Sequence, residues 1–341
     1  MAAGHLSPED AERLVRAHYG IAGRAEALSS ERDQNFRIED SAGRRVLLKV
    51  SDPAEERQVT HLQTAILQHL GRVDPDLPVP RILPARDGVA EIELERDGTR
   101  RVARLLSFLD GAPLASVAAR SPLQRRRIGN LVGRIAAALA EFRHPAEAHE
   151  LIWDMAGAGR LRDLLGDIED PERRALARAY LDRFDGVVAP ALAGLRRQMV
   201  HADANPSNIL VDPADPDTVT GLIDFGDAVR TVLATDVAVA AAYHLADDDD
   251  PLGPAGDLIA GYHAAMPLRP EEIGLLADLM ATRLMMIVVV GAWRARRHPE
   301  NRAYILRNNQ TAWARLHRLA GLDRQAAADR LHRICRENSH G

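Results

Sequence analysis

The chain has 341 residues, 46% of them hydrophobic, which is more than one compact core usually holds, so two units are expected. A net charge of −5, with arginine interleaved among Asp and Glu, provides no basic face for nucleic acid. The single cysteine, Cys335, excludes an internal disulfide framework and a cysteine-built zinc site.

The first residues, MAAGHLSPEDAERLV, lack a basic-then-apolar leader pattern and read as a capped helix. Ser7 is its cap, Pro8 suits the first position, and Glu9 and Asp10 suit the positive end of the helix dipole. Residues 26–36 and 44–50 then read as two strands flanking the polar turn Asp40-Ser41-Ala42-Gly43. A helix is predicted over 53–70, with Val59, Leu62, Ile66, Leu67 and Leu70 at helical spacing, ended by the proline-rich DPDLPVP. Two further strands are predicted at 88–94 and 101–108, joined through Asp97-Gly98.

Beyond Gly111 helical periodicity dominates, starting with the stripe Ile128, Leu131, Val132, Ile135, Leu139 and Phe142. A polar hairpin, 208–211 paired with 219–224, interrupts it. The most apolar segment, 275–293, contains Asp278 and Arg283 and so predicts a buried core helix rather than a membrane span. A cytoplasmic protein without membrane or nucleic-acid partners is expected. The fold class is α+β, with two lobes: residues 1–108 form a small antiparallel sheet with one helix, and residues 109–341 a larger helical part.

The chemistry concentrates in HADANPSN, residues 201–208, and IDFGD, residues 223–227. The spacing Asp-x-x-x-x-Asn, followed by Asp-Phe-Gly, is that of the catalytic-loop and metal-binding motifs of the kinase fold. Phosphoryl transfer needs an acceptor hydroxyl held in line, its proton accepted, and the phosphate charge neutralised. Asp203 is the candidate base. Asn208 and Asp224 are the candidate Mg²⁺ ligands, offering a neutral and an anionic oxygen of the hard type that ion prefers. His201 reads as a supporting hydrogen-bonder of the loop.

Among 44 basic side chains Lys49 is the single lysine, set in the strand VLLKV. Its compact ammonium suits a site that needs a point charge, here the nucleotide phosphates. Gln63 on the following helix is the expected partner of Lys49, with Glu55 and Glu56 as alternatives. The stretch SSERDQNF, residues 29–36, has no glycine, so hydroxyls and amides of Ser29 and Ser30 are the candidate phosphate contacts. Phe108, ending the strand predicted at 101–108, is a further nucleotide-site candidate. For a substrate amine the candidate carboxylate is Asp227, with Asp154 and the acidic run 247–250 as other suppliers. Trp293, Tyr304 and Trp313 are possible pocket walls against the reading of ordinary core aromatics.

Together SSERDQNF, VLLKVSDPAEERQV, RLLSFLDG, HADANPSNILV, VTGLIDFGDA and RRHPENRAYI resemble the aminoglycoside phosphotransferase and choline kinase superfamily, within it the hydroxylysine kinase group. The resemblance implies a small-molecule kinase using Mg²⁺ and GTP or ATP to phosphorylate a hydroxyl on a small amine or amino acid. An antibiotic phosphotransferase is the alternative with the same chemistry, and an inactive nucleotide-binding regulator the alternative of another class. The chain departs from the pattern at Ala202, where the loop glycine is expected, and at Gln63, where a Glu is expected.

Overall fold

A computed structural model describes residues 5–30, 32–117, 120–246 and 250–337. The chain divides into two compact units, Met1–Gly111 with Phe142–Glu147, and Ala112–Glu141 with Ala148–Gly341.

The first unit opens with α1 (Pro8–Tyr19), whose reciprocal capping box joins Ser7 and Asp10 and whose end is Gly20 at φ 73°. Then come β1 (Gly23–Leu28), β2 (Gln34–Asp40), β3 (Arg45–Val50), α2 (Arg57–Val73), β4 (Ile82–Leu83), β5 (Ile92–Arg96) and β6 (Thr99–Ser107). Among the described residues these strands form one antiparallel sheet in the order β1-β2-β3-β6-β4, with β5 also on β6. Its core joins Phe36, Ile38, Val46, Leu48, Val50 and Leu105 to Ala11 and Val15 of α1. Side chains alternate across a strand, so the buried faces of Leu48 and Val50 turn Lys49 to the other side of the sheet.

Two expectations are corrected here. Residues 26–36 are not one strand: the chain reverses after Leu28, and β1 and β2 pair antiparallel from Gly23↔Asp40 to Leu28↔Asn35. The reversal contains no glycine or proline, and only the polar residues Ser29, Ser30 and Asp33 mark it in the sequence. The predicted helix 53–70 begins later, at Arg57, because the Asp52 side chain accepts the Ala54 amide at 2.8 Å and holds those residues in a turn.

The second unit contains β7 (Ala112–Pro113), α3 (Pro122–Ala138), α4 (Pro171–Arg183), α5 (Ala189–Leu192), β8 (Arg197–Val200), β9 (Ile209–Val211), β10 (Val219–Leu222) and β11 (Val229–Val232). The helices α6 (Leu233–Ala242), α7 (Gly253–Ala265), α8 (Pro270–Arg297), α9 (Arg302–Ile305), α10 (Asn309–Ala320) and α11 (Arg324–Glu337) complete it. The hairpin β9–β10 forms as read from the sequence, with β7 added beside β9. The pair β8–β11 was not legible, being two four-residue segments separated in sequence by the hairpin.

Helix α8 is long and apolar enough to cross a membrane, yet its most apolar window is 89% buried within the protein. It forms the centre of this unit. In the same unit α3 and α7 pack closely, because a Cβ at Gly129 would overlap the Leu258 carbonyl and one at Gly261 that of Arg126.

Candidate active site

The loop 201–208 leads directly into β9, and its residues are tied to one another and to α6 and α8. His201 is fully buried. Its Nδ1 accepts the Asp203 amide at 3.2 Å, so the ring proton resides on Nε2, which donates to the Ile223 carbonyl at 3.2 Å. Burial lowers its pKa to about 4, which keeps the ring neutral and makes it a strut of the loop rather than an acid.

Ala202 adopts φ 61°, a left-handed conformation that costs a non-glycine residue roughly 1–2 kcal/mol. It is held there by Asp236 of α6, whose Oδ1 accepts the Ala202 amide at 3.0 Å. Asp236 is 1% exposed and its Oδ2 has no hydrogen-bond partner. Burial raises its pKa to about 7, against the lowering effect of the Ala202 and His201 amides.

Asp203 is gripped from three sides. Its Oδ2 accepts from Asn205 Nδ2 at 2.9 Å and from Asn208 Nδ2 at 2.8 Å, and its Oδ1 accepts from Arg283 Nη2 at 2.9 Å. The Asp203 side chain keeps 19% exposure, which leaves room for a hydroxyl to approach. Withdrawal from water pushes its pKa up, and nearby Asp224 adds to this, while Arg283 and the two amides pull it down. Arg283 itself is buried, with its guanidinium 4.8 Å from the Trp153 ring centroid and 6.0 Å from that of Tyr243. The sequence offered one sign of it, a charge inside the apolar run of α8.

Asn208 and Asp224 lie at the same end of the β9–β10 hairpin. The Asn208 carbonyl accepts the Ile223 amide at 2.9 Å, so Asp224 follows directly on the residue paired with Asn208. Asp224, at φ 63° and ψ 81°, accepts the Gly226 amide at 3.3 Å and is an exposed residue. Because Asn208 gives its Nδ2 protons to Asp203, its Oδ1 remains as a neutral acceptor. An amide oxygen and a carboxylate fit a hard divalent cation that completes its shell with water and phosphate oxygens. Asp227, partly exposed in the short helical turn after Asp224, lies close enough to Arg283 to stabilise its charge.

In the first unit Lys49 Nζ lies 3.1 Å from Asp33 Oδ2. The other oxygen of Asp33 accepts the Asp52 amide at 3.0 Å, so the carboxylate is anchored at both ends. Gln63, the expected partner of Lys49, accepts from Arg104 Nη2 at 2.9 Å through its amide oxygen. Arg104 stands opposite Lys49 in the β3–β6 register, and its longer side chain also reaches the Thr60 carbonyl of α2. Glu55 lies 3.8 Å from Arg32, and Glu56 occupies the N-cap position of α2. Ser29 and Ser30 are exposed between β1 and β2, and the Arg45 guanidinium lies 5.4 Å from the Phe108 ring centroid.

The other substrate-side candidates are separated by the structure. Asp154 caps the helical segment Met155–Asp167 and accepts the Thr231 hydroxyl at 2.7 Å, so it is a structural carboxylate. In the acidic run, 247–249 lie outside the described residues, and Asp250 pairs with Arg330. Trp313 is a core residue at 6% exposure, whereas Tyr304 is 40% exposed. Beside the loop lies a cavity of about 200 Å³, lined by Asn205, Pro206 and Ser207 together with Leu284 and Ile287.

Residues 24–275 match the phosphotransferase enzyme family. Hydroxylysine kinase of Mus musculus is 26% identical over 342 residues, covering 94% of this chain and 90% of that protein. Among solved structures, amicoumacin kinase hAmiN in complex with AMP-PNP, Ca²⁺ and Ami superposes with a TM-score of 0.69 at 14% identity, covering 96% of this chain and 97% of that one. The microcompartment-associated aminopropanol kinase gives a TM-score of 0.61 at 16% identity, with the same two coverages. The fold, the loop geometry and the match across most of its length make the chain a member of the phosphotransferase enzyme family, a small-molecule kinase.

Proposed function

We propose that the chain transfers the γ-phosphoryl group of GTP or ATP to a hydroxyl of a small amino-bearing metabolite, in the manner of hydroxylysine kinase. The observation that carries this reading is the Asp203 carboxylate, held by Asn208 and Arg283 near the exposed Asp224. Asp203 takes the proton of the acceptor hydroxyl as its oxygen bonds to the γ-phosphorus, and the nucleoside diphosphate leaves with the bridging oxygen. Asn208 Oδ1 and Asp224 would hold a Mg²⁺ ion, which supplies charge neutralisation at the phosphates when bound.

Lys49 is assigned to the nucleotide phosphates, with Asp33 as its counter-ion. Ser29, Ser30 and Phe108 are assigned to the nucleotide, and Asp227 to a substrate amine. The likeness to hydroxylysine kinase along nearly the whole chain supports the choice of acceptor class.

The test is turnover of the purified protein, with ATP and with GTP, on hydroxylysine, other hydroxylated amino acids, amino alcohols and aminoglycosides. Phosphorylation of a hydroxylated amino acid, abolished by Asp203→Asn, is expected. Turnover confined to aminoglycosides would replace this reading with that of a resistance enzyme.

A further inference from the structure

We propose that Arg120 and Arg315 form a carboxylate-binding subsite in the cavity beside the catalytic loop, so that the acceptor is a hydroxylated amino acid and not a simple amino alcohol. This rests on the phosphotransferase reading above and names the substrate group that the site recognises.

The cavity adjoins the reacting centre through Asn205, which lines it and also donates to Asp203. Its volume, about 200 Å³, falls below the roughly 300–1,000 Å³ that hold drug-sized molecules, which favours a small acceptor. The charged part of the lining is cationic: Arg120 and Arg315 both belong to it, and among the described residues no carboxylate does. Arg120 is half-buried, and burial together with repulsion from Arg125 works against its charge. Arg315 is steadied by its Nη1, 3.3 Å from the Ala242 carbonyl.

Next to Tyr243 of the lining, His244 is buried, and both of its ring nitrogens lack a hydrogen-bond partner. Burial and the charges of Arg120, Arg125 and Arg315 lower its pKa to about 3, so a neutral ring with an unused N–H stands in a positive field. A carboxylate entering that field gains charge-assisted hydrogen bonds of the kind that guanidinium groups make best. The acidic pocket expected for an amine is therefore not what lines this cavity.

The test compares hydroxylysine with the amino alcohol left by removing its carboxyl group, in the native chain, Arg120→Gln and Arg120→Lys. The native chain should favour hydroxylysine in kcat/KM, and Arg120→Gln should cut that ratio roughly tenfold or more, through KM. Arg120→Lys should restore part of it, with thermal melting confirming that each variant folds. Calorimetric titration with lysine, which has the carboxylate but no hydroxyl to phosphorylate, provides a readout free of turnover. Lysine binding weakened roughly tenfold by Arg120→Gln supports the subsite even if no acceptor reacts, in which case the kinase reading alone fails. Equal use of the two acceptors, a ratio unchanged in Arg120→Gln, or no lysine binding together with no turnover of hydroxylysine overturns the subsite.

Discussion

Arg283 donates to Asp203 at 2.9 Å across 80 residues of sequence, setting a buried guanidinium against the candidate base. The bond fixes which way the carboxylate faces, and the positive charge offsets part of the penalty that burial imposes on its ionised form. The base and its cation are therefore best tested separately.

Asp203→Asn should lower kcat by roughly 10²–10⁴ while nucleotide affinity changes little, because the amide keeps the shape but accepts no proton. Single-turnover phosphorylation alongside a nucleotide-binding titration checks it. Activity near that of the native chain would remove Asp203 from the role.

Arg283→Gln acts on the pH profile. Arg283 lowers the pKa of Asp203, so its loss raises that pKa, and the base form then appears only at higher pH. The acidic limb of the kcat profile should move upward in pH. The variant should also be less stable by roughly 3–5 kcal/mol, the cost of breaking a buried ion pair from one side. A limb that stays in place would mean that Asp203 is not the titrating group.

Asp236→Asn separates a pH-dependent stability term. The folded-state pKa of Asp236 is raised to about 7 by burial, while its unfolded value is 3.8. Between those values the unfolded chain is ionised and the folded chain keeps its proton, so native stability falls as pH rises. The loss is complete above about pH 7 and amounts at most to roughly 4 kcal/mol. The Asn variant carries no such loss, so its stability relative to the native chain should grow from pH 5 to pH 7 and then level off. Denaturation midpoints across that range measure it; a difference independent of pH would mean that Asp236 ionises normally.

Lys49→Arg should impair phosphoryl transfer although it keeps the charge, since a planar guanidinium cannot occupy the place of the compact ammonium beside Asp33. Asp33→Asn should raise the KM for nucleotide, with Asp33→Glu recovering part of it. Neutral outcomes for both would return the lysine to the sheet surface.

Asp224→Asn should raise the metal requirement, read as a higher half-saturating Mg²⁺ concentration in a rate titration, because a neutral amide binds a hard cation less well than a carboxylate. An unchanged titration would place the ion elsewhere.

How much of this was legible follows from the range of each interaction. The hairpin β9–β10 and the loop before it were readable because Asp203, Asn208 and Asp224 stand at fixed short separations, and one ladder bond from Ile223 to Asn208 fixes their relative placement. The α1 cap and the strand β3 were readable for the same reason. Arg283, Trp153 and Asp236 were not, since each meets the loop or its neighbours from a distant element, and sequence spacing holds no information on which turn of α8 or α6 faces it. The partner of Lys49 shows the same limit. A helical position chose Gln63, but Arg104 on the adjoining strand reaches that amide, and Asp33 approaches the lysine from a turn with no glycine or proline to mark it. Local sequence thus determined the chemistry on offer, an acid, an amide and a second acid at kinase spacing. Tertiary packing alone decided their electrostatic setting, because burial and long-range charge exist only once the chain has closed around them.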